Sequence, residues 1–129
     1  MEKKYRIDLY GKKGCSKCAQ LKARLDKLIS TDWQDFEVRY NDISTEDGLV
    51  AFAQRECLNP QRIPSFIVEK KVAGSDTFEA IHNPEHSHTT TGLRPLRFIG
   101  IQTDYSEAGK GIIPPAAVIE ILKQAREAA

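Results

Sequence analysis

The feature that most constrains this chain is the run Gly14-Cys15-Ser16-Lys17-Cys18, which follows an apolar strand-like stretch and opens a helix-like one. Two cysteines three positions apart at the start of a helix lie about one turn from each other, close enough to close a small disulfide. The first sits where unpaired backbone N–H groups and the positive end of the helix macrodipole favour an anion. Cys15 is therefore expected to ionise easily, since helix N-termini and nearby cations lower a cysteine pKa from about 8.5 to roughly 3.5–7.5. Lys12, Lys13 and Lys17 add positive charge. Cys18 shares a helical face with Leu21, Leu25 and Leu28 and is expected to point toward the core. That asymmetry suits an exposed attacking Cys15 and a shielded resolving Cys18.

A lone C-x-x-C is also half of a zinc site, whose other half is normally a second Cys/His pair at ligand spacing. The only other cysteine is Cys57. What stands downstream instead is Ile63-Pro64, directly before the apolar run Phe66-Ile67-Val68. A proline at the head of a strand cannot donate to the ladder and is a candidate cis site in a tight turn.

Order and spacing then carry a resemblance. The segment from Ile7 through Gly11-Lys12-Lys13-Gly14 to Cys15-Ser16-Lys17-Cys18 resembles the first strand and active-site loop of glutaredoxins, and Gln61-Arg62-Ile63-Pro64 resembles the segment leading into that family's cis-proline. The match covers residues 1 to about 70 and is partial beyond. The resemblance implies an α/β, thioredoxin-like fold of glutaredoxin type, β-α-β-α-β-β-α, with a mixed central sheet flanked by helices. It implies thiol–disulfide exchange by Cys15 and Cys18, with no bound metal or prosthetic group and with glutathione as co-substrate. Lys12 stands where glutaredoxins use a lysine for a glutathione carboxylate, Gln61 or Arg62 would assist, and the backbone of Ile63 before Pro64 would pair with bound substrate. Ser16-Lys17 departs from the Pro-Tyr or Pro-Phe common between the family's cysteines. Expected partners are glutathione, disulfide-containing or glutathionylated proteins, and glutathione reductase or thioredoxin reductase. The alternatives are a redoxin served by thioredoxin reductase and a non-catalytic module holding zinc or an iron–sulfur cluster through the C-x-x-C.

Length and charge bound the rest. A chain of 129 residues suits one small domain spanning 1–129. A formal charge of +1 offers no general attraction to nucleic acid or acidic membranes, and no apolar run is long enough to span a bilayer. The start, Met1-Glu2-Lys3-Lys4, leads into a strand pattern without a signal-peptide core, and three cysteines fit a reducing compartment. These features lead to the expectation of a cytoplasmic monomer.

Along the chain, Tyr5, Ile7 and Leu9 alternate with Arg6, Asp8 and Tyr10 as a strand with one buried side, Asp8 reading as a solvated carboxylate rather than a buried base for the dithiol. Leu21, Leu25, Leu28 and Ile29 predict a helix over 16–30, with Lys17, Lys22, Arg24 and Lys27 on its wet face and Trp33 packed at the core edge. Phe36, Val38 and Tyr40 predict a second strand. Ser44 with Asp47 resembles a capping box, so a helix should begin near Thr45 and bury Leu49, Val50, Phe52, Ala53 and Cys57. Free cysteine is a frequently buried residue type, so Cys57 reads as structural. The order strand, helix, strand, helix, strand predicts parallel pairing through right-handed crossovers.

For the element after the fourth strand, Val72-Ala73-Gly74-Ser75-Asp76 competes with Gly109-Lys110-Gly111, which follows the better strand Arg97–Gln102 and precedes a helix from Pro115. The second assignment is preferred, because it leaves a closing helix long enough to cover the sheet and makes about 71–96 an insertion. Within it, His82, His86 and His88 invite a metal reading. Pro84 breaks the helical spacing of His82 and His86, so a polar loop is the reading retained.

Overall fold

A computed structural model of the chain describes residues 2–55, 61–82, 98–103, 105, 110–111 and 113–128. The elements run β1 (Tyr5–Gly11), α1 (Ser16–Ile29), β2 (Phe36–Asp42), α2 (Glu46–Ala53), β3 (Ser65–Lys71), β4 (Phe78–Ala80), β5 (Gly100–Gln102) and α3 (Pro115–Glu127). They form a mixed α/β fold in which the sheet order is β2-β1-β3-β4, with β5 also on β3.

Alternation along β1 sends Tyr5, Ile7 and Leu9 to one face of the sheet. There they form the main core with Leu21 and Leu25 of α1, Phe36 of β2, Phe66 and Val68 of β3, and Val118, Ile121 and Leu122 of α3. Pro115 opens α3 with no side-chain cap above it, consistent with a first-turn proline whose missing N–H leaves nothing unsatisfied. Trp33 is buried in the same core, stacked under the Arg126 guanidinium at 3.9 Å, and Arg126 also pairs with Asp35 at 2.6 Å. The opposite face packs Tyr10, Ile63 and Ile67 against Phe52 of α2.

β1 and β2 pair in parallel across α1, whereas β1 and β3 pair antiparallel. The parallel pairing expected among the first three strands is thus corrected at β3, and the sheet is mixed, as the fold class implied. Gly48 of α2 lies against the backbone of Asp42 at the end of β2, and Tyr10 pairs with Ser65. The connection therefore returns to the end of the sheet it left. Eight helical residues rise only about 12 Å, half the length of a seven-residue strand of about 23 Å, so α2 does not carry the chain back to the far end.

The far edge of β3 is covered in two pieces. β4 pairs with Glu69, Lys70 and Lys71, and β5 with Ser65, Phe66 and Ile67. Between them Val68 donates to Ile99 O and accepts from Ile81 N, both at about 3 Å (2.9 and 3.1 Å). Val72–Asp76 falls in the turn joining β3 to β4, closed by Val72 N to Thr77 O at 2.9 Å, with Gly74 at φ 75°. His82 bridges Phe98 on the backbone, while Cys57, His86 and His88 lie outside the described residues.

Helix α2 corrects two further expectations. Its cap is Thr45, whose Oγ1 accepts from Gly48 N at 3.1 Å, while Ser44 is held by Asp42 instead. Leu49 and Val50 are each 53 % exposed, so only Phe52 of the expected apolar face is buried among the described residues of α2's large side chains.

Asp8 is the largest departure: it is fully buried, not solvated. Arg39 grips it with both Nε (2.6 Å) and Nη2 (2.9 Å), and Arg55 Nη2 reaches Asp8 at 2.8 Å and Glu69 at 3.0 Å. Arg55 Nε donates to the Tyr10 hydroxyl at 2.9 Å. Two acids and two guanidiniums thus neutralise one another on the α2 side of the sheet, which is what makes such burial tolerable. Burial raises the Asp8 pKa, but its hydrogen bonds with Glu69, Arg39 and Arg55 outweigh that and hold it low. Burial, then the hydrogen bond with Asp8 and the Asp8 charge, push Glu69 from 4.5 up to about 7.

The raised Glu69 pKa gives a stability contribution that is full below its unfolded value and lost as pH rises through about 7. Denaturant unfolding across pH 5–7 should show stability falling from this group by at most about 1.4 kcal/mol per pH unit. Glu69→Gln is expected to flatten that slope; an unchanged slope would contradict the assignment.

Candidate dithiol site

The site lies where β1 hands the chain to α1. Gly14, at φ 83°, makes a turn that a side chain would strain, and Cys15 then caps the helix in an extended conformation. Its sulfur accepts from Cys18 N at 3.2 Å, the place an N-cap oxygen normally takes. No acidic residue stands in the first turn of α1 to oppose a negative sulfur. Cys15 and Cys18 are joined as a disulfide, with Cα atoms 5.3 Å apart. Cys15 is partly exposed, whereas Cys18 is fully buried.

Cys18 owes its position to Gly11. A Cβ at residue 11 would fall 2.9 Å from Cys18 Cβ and 2.6 Å from the Tyr40 hydroxyl, so the missing side chain lets the first turn of α1 settle onto the end of β1. Burial, aided by Asp42, pushes the Tyr40 hydroxyl pKa up, leaving a neutral phenol beside the dithiol at ordinary pH. Asp8 has no part here. It projects to the α2 face of the sheet, opposite to α1, and its carboxylate is held by Arg39 and Arg55.

Two hollows lie along the first turns of α1, one of them bordering Cys15. One, of about 430 Å³, is lined by Lys12, Lys13, Gly14, Cys15, Ala19, Lys22 and Tyr40, so three ammonium groups border the more exposed sulfur. The other, about 70 Å³, lies between Lys17, Gln20, Leu21 and Arg24 of α1 and Pro64, Thr103, Gly111 and Ile113.

The second hollow shows that the Pro64 loop stands against α1 at Lys17 and Leu21. The Ile63–Pro64 peptide is cis, and both residues are buried. Thr103 Oγ1 donates to Pro64 O at 2.6 Å, Arg62 Nε donates to Thr103 O at 3.0 Å, and the Tyr105 hydroxyl donates to Ile63 O at 2.5 Å. Lys17 Nζ lies 4.7 Å from the centre of the Tyr105 ring. Of the residues singled out from sequence, Lys12 thus borders Cys15, Pro64 sits across from Lys17, Ile63 packs with Tyr10, Ile67 and Phe52 on the α2 face, Arg62 braces the loop, and Gln61 lies exposed at its approach. Tyr40, Lys22, Thr103 and Tyr105 are additions. Period-two alternation of Ile101, Thr103 and Tyr105 was the available signal for the last two. Among the described residues, no group of three or more His, Cys, Asp or Glu is placed to hold a metal ion, and no helix is long and apolar enough to cross a membrane.

Gly11→Ala should push Cys18 and Tyr40 apart, lowering stability by about 1–3 kcal/mol. It should also slow closure of the Cys15–Cys18 disulfide, read by thiol alkylation during oxidation. Normal closure in a variant of unchanged melting temperature would refute this role for Gly11.

No protein-family model matches the sequence, and no curated protein matches it. Solved structures do. Oxidised thioredoxin O2 from Arabidopsis thaliana superposes with a TM-score of 0.55 at 10 % identity, covering 94 % of this chain and 74 % of that one. Chloroplastic thioredoxin z gives a TM-score of 0.53 at 16 % identity, covering 96 % and 80 %. The chain therefore takes the thioredoxin-like fold, with a disulfide-forming C-x-x-C at the start of its first helix.

Proposed function

We propose that this chain is a glutaredoxin-like thiol–disulfide oxidoreductase acting on protein disulfides or glutathione mixed disulfides. The observation that carries the reading is the Cys15–Cys18 disulfide at a helix N-terminus, with one sulfur partly exposed and the other buried.

In the reduced protein the Cys15 thiolate attacks one sulfur of the substrate disulfide, forming a mixed disulfide and expelling the other sulfur as a thiolate. The Cys18 N–H that caps Cys15 stabilises the attacking anion. Cys18, held about one helical turn away, then attacks the Cys15 sulfur. The second substrate thiol leaves, and the two electrons that the substrate disulfide has gained over both steps come from the two cysteines, now joined as the Cys15–Cys18 disulfide. Two glutathione molecules restore the dithiol and become oxidised glutathione, or a reductase does so.

Glutathione as co-substrate is supported by the hollow bordered by Lys12, Lys13 and Lys22, whose charges suit a molecule with two carboxylates. Within this reading, Lys12 binds a glutathione carboxylate, while Ile63 and Pro64, with Gln61 and Arg62 at the approach, meet the rest of the substrate. Ile63 offers its carbonyl to a substrate chain that displaces the Tyr105 hydroxyl from it. No metal or prosthetic group enters the reaction.

The test is turnover of a glutathionylated peptide, coupled in parallel to glutathione with glutathione reductase and to thioredoxin reductase. Turnover with glutathione is expected; turnover with thioredoxin reductase alone would replace the glutaredoxin-like reading by a thioredoxin-reductase-dependent one. Cys15→Ser should abolish turnover, whereas Cys18→Ser should retain deglutathionylation and accumulate mixed disulfides with protein substrates. Lys12→Ala should raise KM for glutathione about 2- to 5-fold with kcat unchanged, the range of an exposed ion pair. An unaltered KM would remove Lys12 from the site.

A further inference from the structure

The carbonyl groups of the Pro64 loop are not satisfied alike. Arg62 O accepts from Thr103 N at 3.3 Å, and Pro64 O from Thr103 N at 3.2 Å and Thr103 Oγ1 at 2.6 Å. These bonds continue the β3–β5 ladder past the Ser65–Gln102 pair. Ile63 O has a different partner, the side-chain hydroxyl of Tyr105 at 2.5 Å.

Tyr105 is 46 % exposed, yet it is held on two sides. Its ring lies under Lys17 Nζ, inside the C-x-x-C, and a Cβ at Gly111 would fall 2.9 Å from two of its ring carbons. Gly111 therefore makes room for the ring between the dithiol and the Pro64 loop. The side chain thus reaches from Lys17, inside the C-x-x-C, to the carbonyl of Ile63.

An unpaired carbonyl next to a sheet is a template for an added strand, whose backbone N–H is its natural donor. Here the phenol already makes that bond. A small disulfide, which needs only the Cys15 sulfur, does not meet this competition. A polypeptide that pairs with Ile63 must displace the phenol from a bond that exposed water replaces only in part.

We propose that Tyr105 is a specificity-determining residue, its hydroxyl standing in for a substrate backbone donor at Ile63 O and biasing the site against extended polypeptide disulfides relative to small ones. The inference rests on the oxidoreductase reading for its biological meaning but is tested without turnover. Tyr105→Phe removes the hydroxyl and keeps the ring over which Lys17 sits.

The experiment uses the reduced 129-residue protein carrying Cys18→Ser and Cys57→Ser, so that Cys15 is the single thiol. It is reacted with 2,2′-dithiodipyridine and, separately, with an extended peptide whose one cysteine bears a thiopyridyl group. In each case the Cys15 thiolate forms a disulfide and breaks the activated S–S bond, expelling pyridine-2-thione, whose absorbance gives the rate. The net worth of one hydrogen bond predicts that Y105F reacts roughly 3- to 10-fold faster with the peptide, and equally fast with the small reagent. An unchanged or slower peptide reaction, or equal acceleration of both reagents, would overturn the assignment. Absence of turnover with any reductant would defeat the oxidoreductase reading while leaving this rate ratio standing.

Discussion

The contact between Cys18 and Gly11 determines where the chemistry of this fold can be. A helix that starts after a parallel-sheet strand must approach the strand end closely to bury its first turn, and here the strand offers a residue with no side chain at that point. Cys18 fills the space and is lost to solvent, and Cys15, one turn earlier, is left at the rim with the helix N-terminus behind it. The difference between the two sulfurs follows from this packing. The covering of the Pro64 loop by Thr103 and Tyr105 then fixes what stands opposite.

The charged cluster of Asp8, Glu69, Arg39 and Arg55 occupies the other face of the sheet. Its isolation from the dithiol separates two tasks that a buried acid under a redox pair would combine. The network ties β1, β2, β3 and the residue Arg55 just after α2 together. The sulfur chemistry is left to the cap bond, the helix N-terminus and the surrounding lysines.

Much of this was legible locally. The alternation of Tyr5, Ile7 and Leu9, the glycine turn and the leucine spacing of α1 are short-range patterns, and they led to the strand, the helix and the contrast between Cys15 and Cys18. What was not legible depended on distant partners. Asp8 reads as a surface acid beside Arg6 until Arg39, Arg55 and Glu69 are brought to it from 31, 47 and further residues along the chain. Ser44 and Thr45 are both competent caps, and the close approach of Gly48 to Asp42 accompanies the choice of Thr45. The reversal of β3 depends on how short α2 is, which hydropathy over Leu49–Ala53 did not reveal. Tyr105 carried only the alternation with Ile101 and Thr103, and its importance comes from the carbonyl it meets.

A redox titration of the cysteines examines the central claim most directly, namely that Cys15 and Cys18 form a reversible dithiol couple. The protein would be equilibrated across a series of glutathione redox buffers, quenched with an alkylating reagent, digested and weighed by mass spectrometry. The account predicts one two-electron transition in which Cys15 and Cys18 gain or lose their labels together while Cys57 stays labelled throughout. Independent labelling of Cys15 and Cys18, or a bond between Cys15 and Cys57 in the oxidised samples, would contradict it.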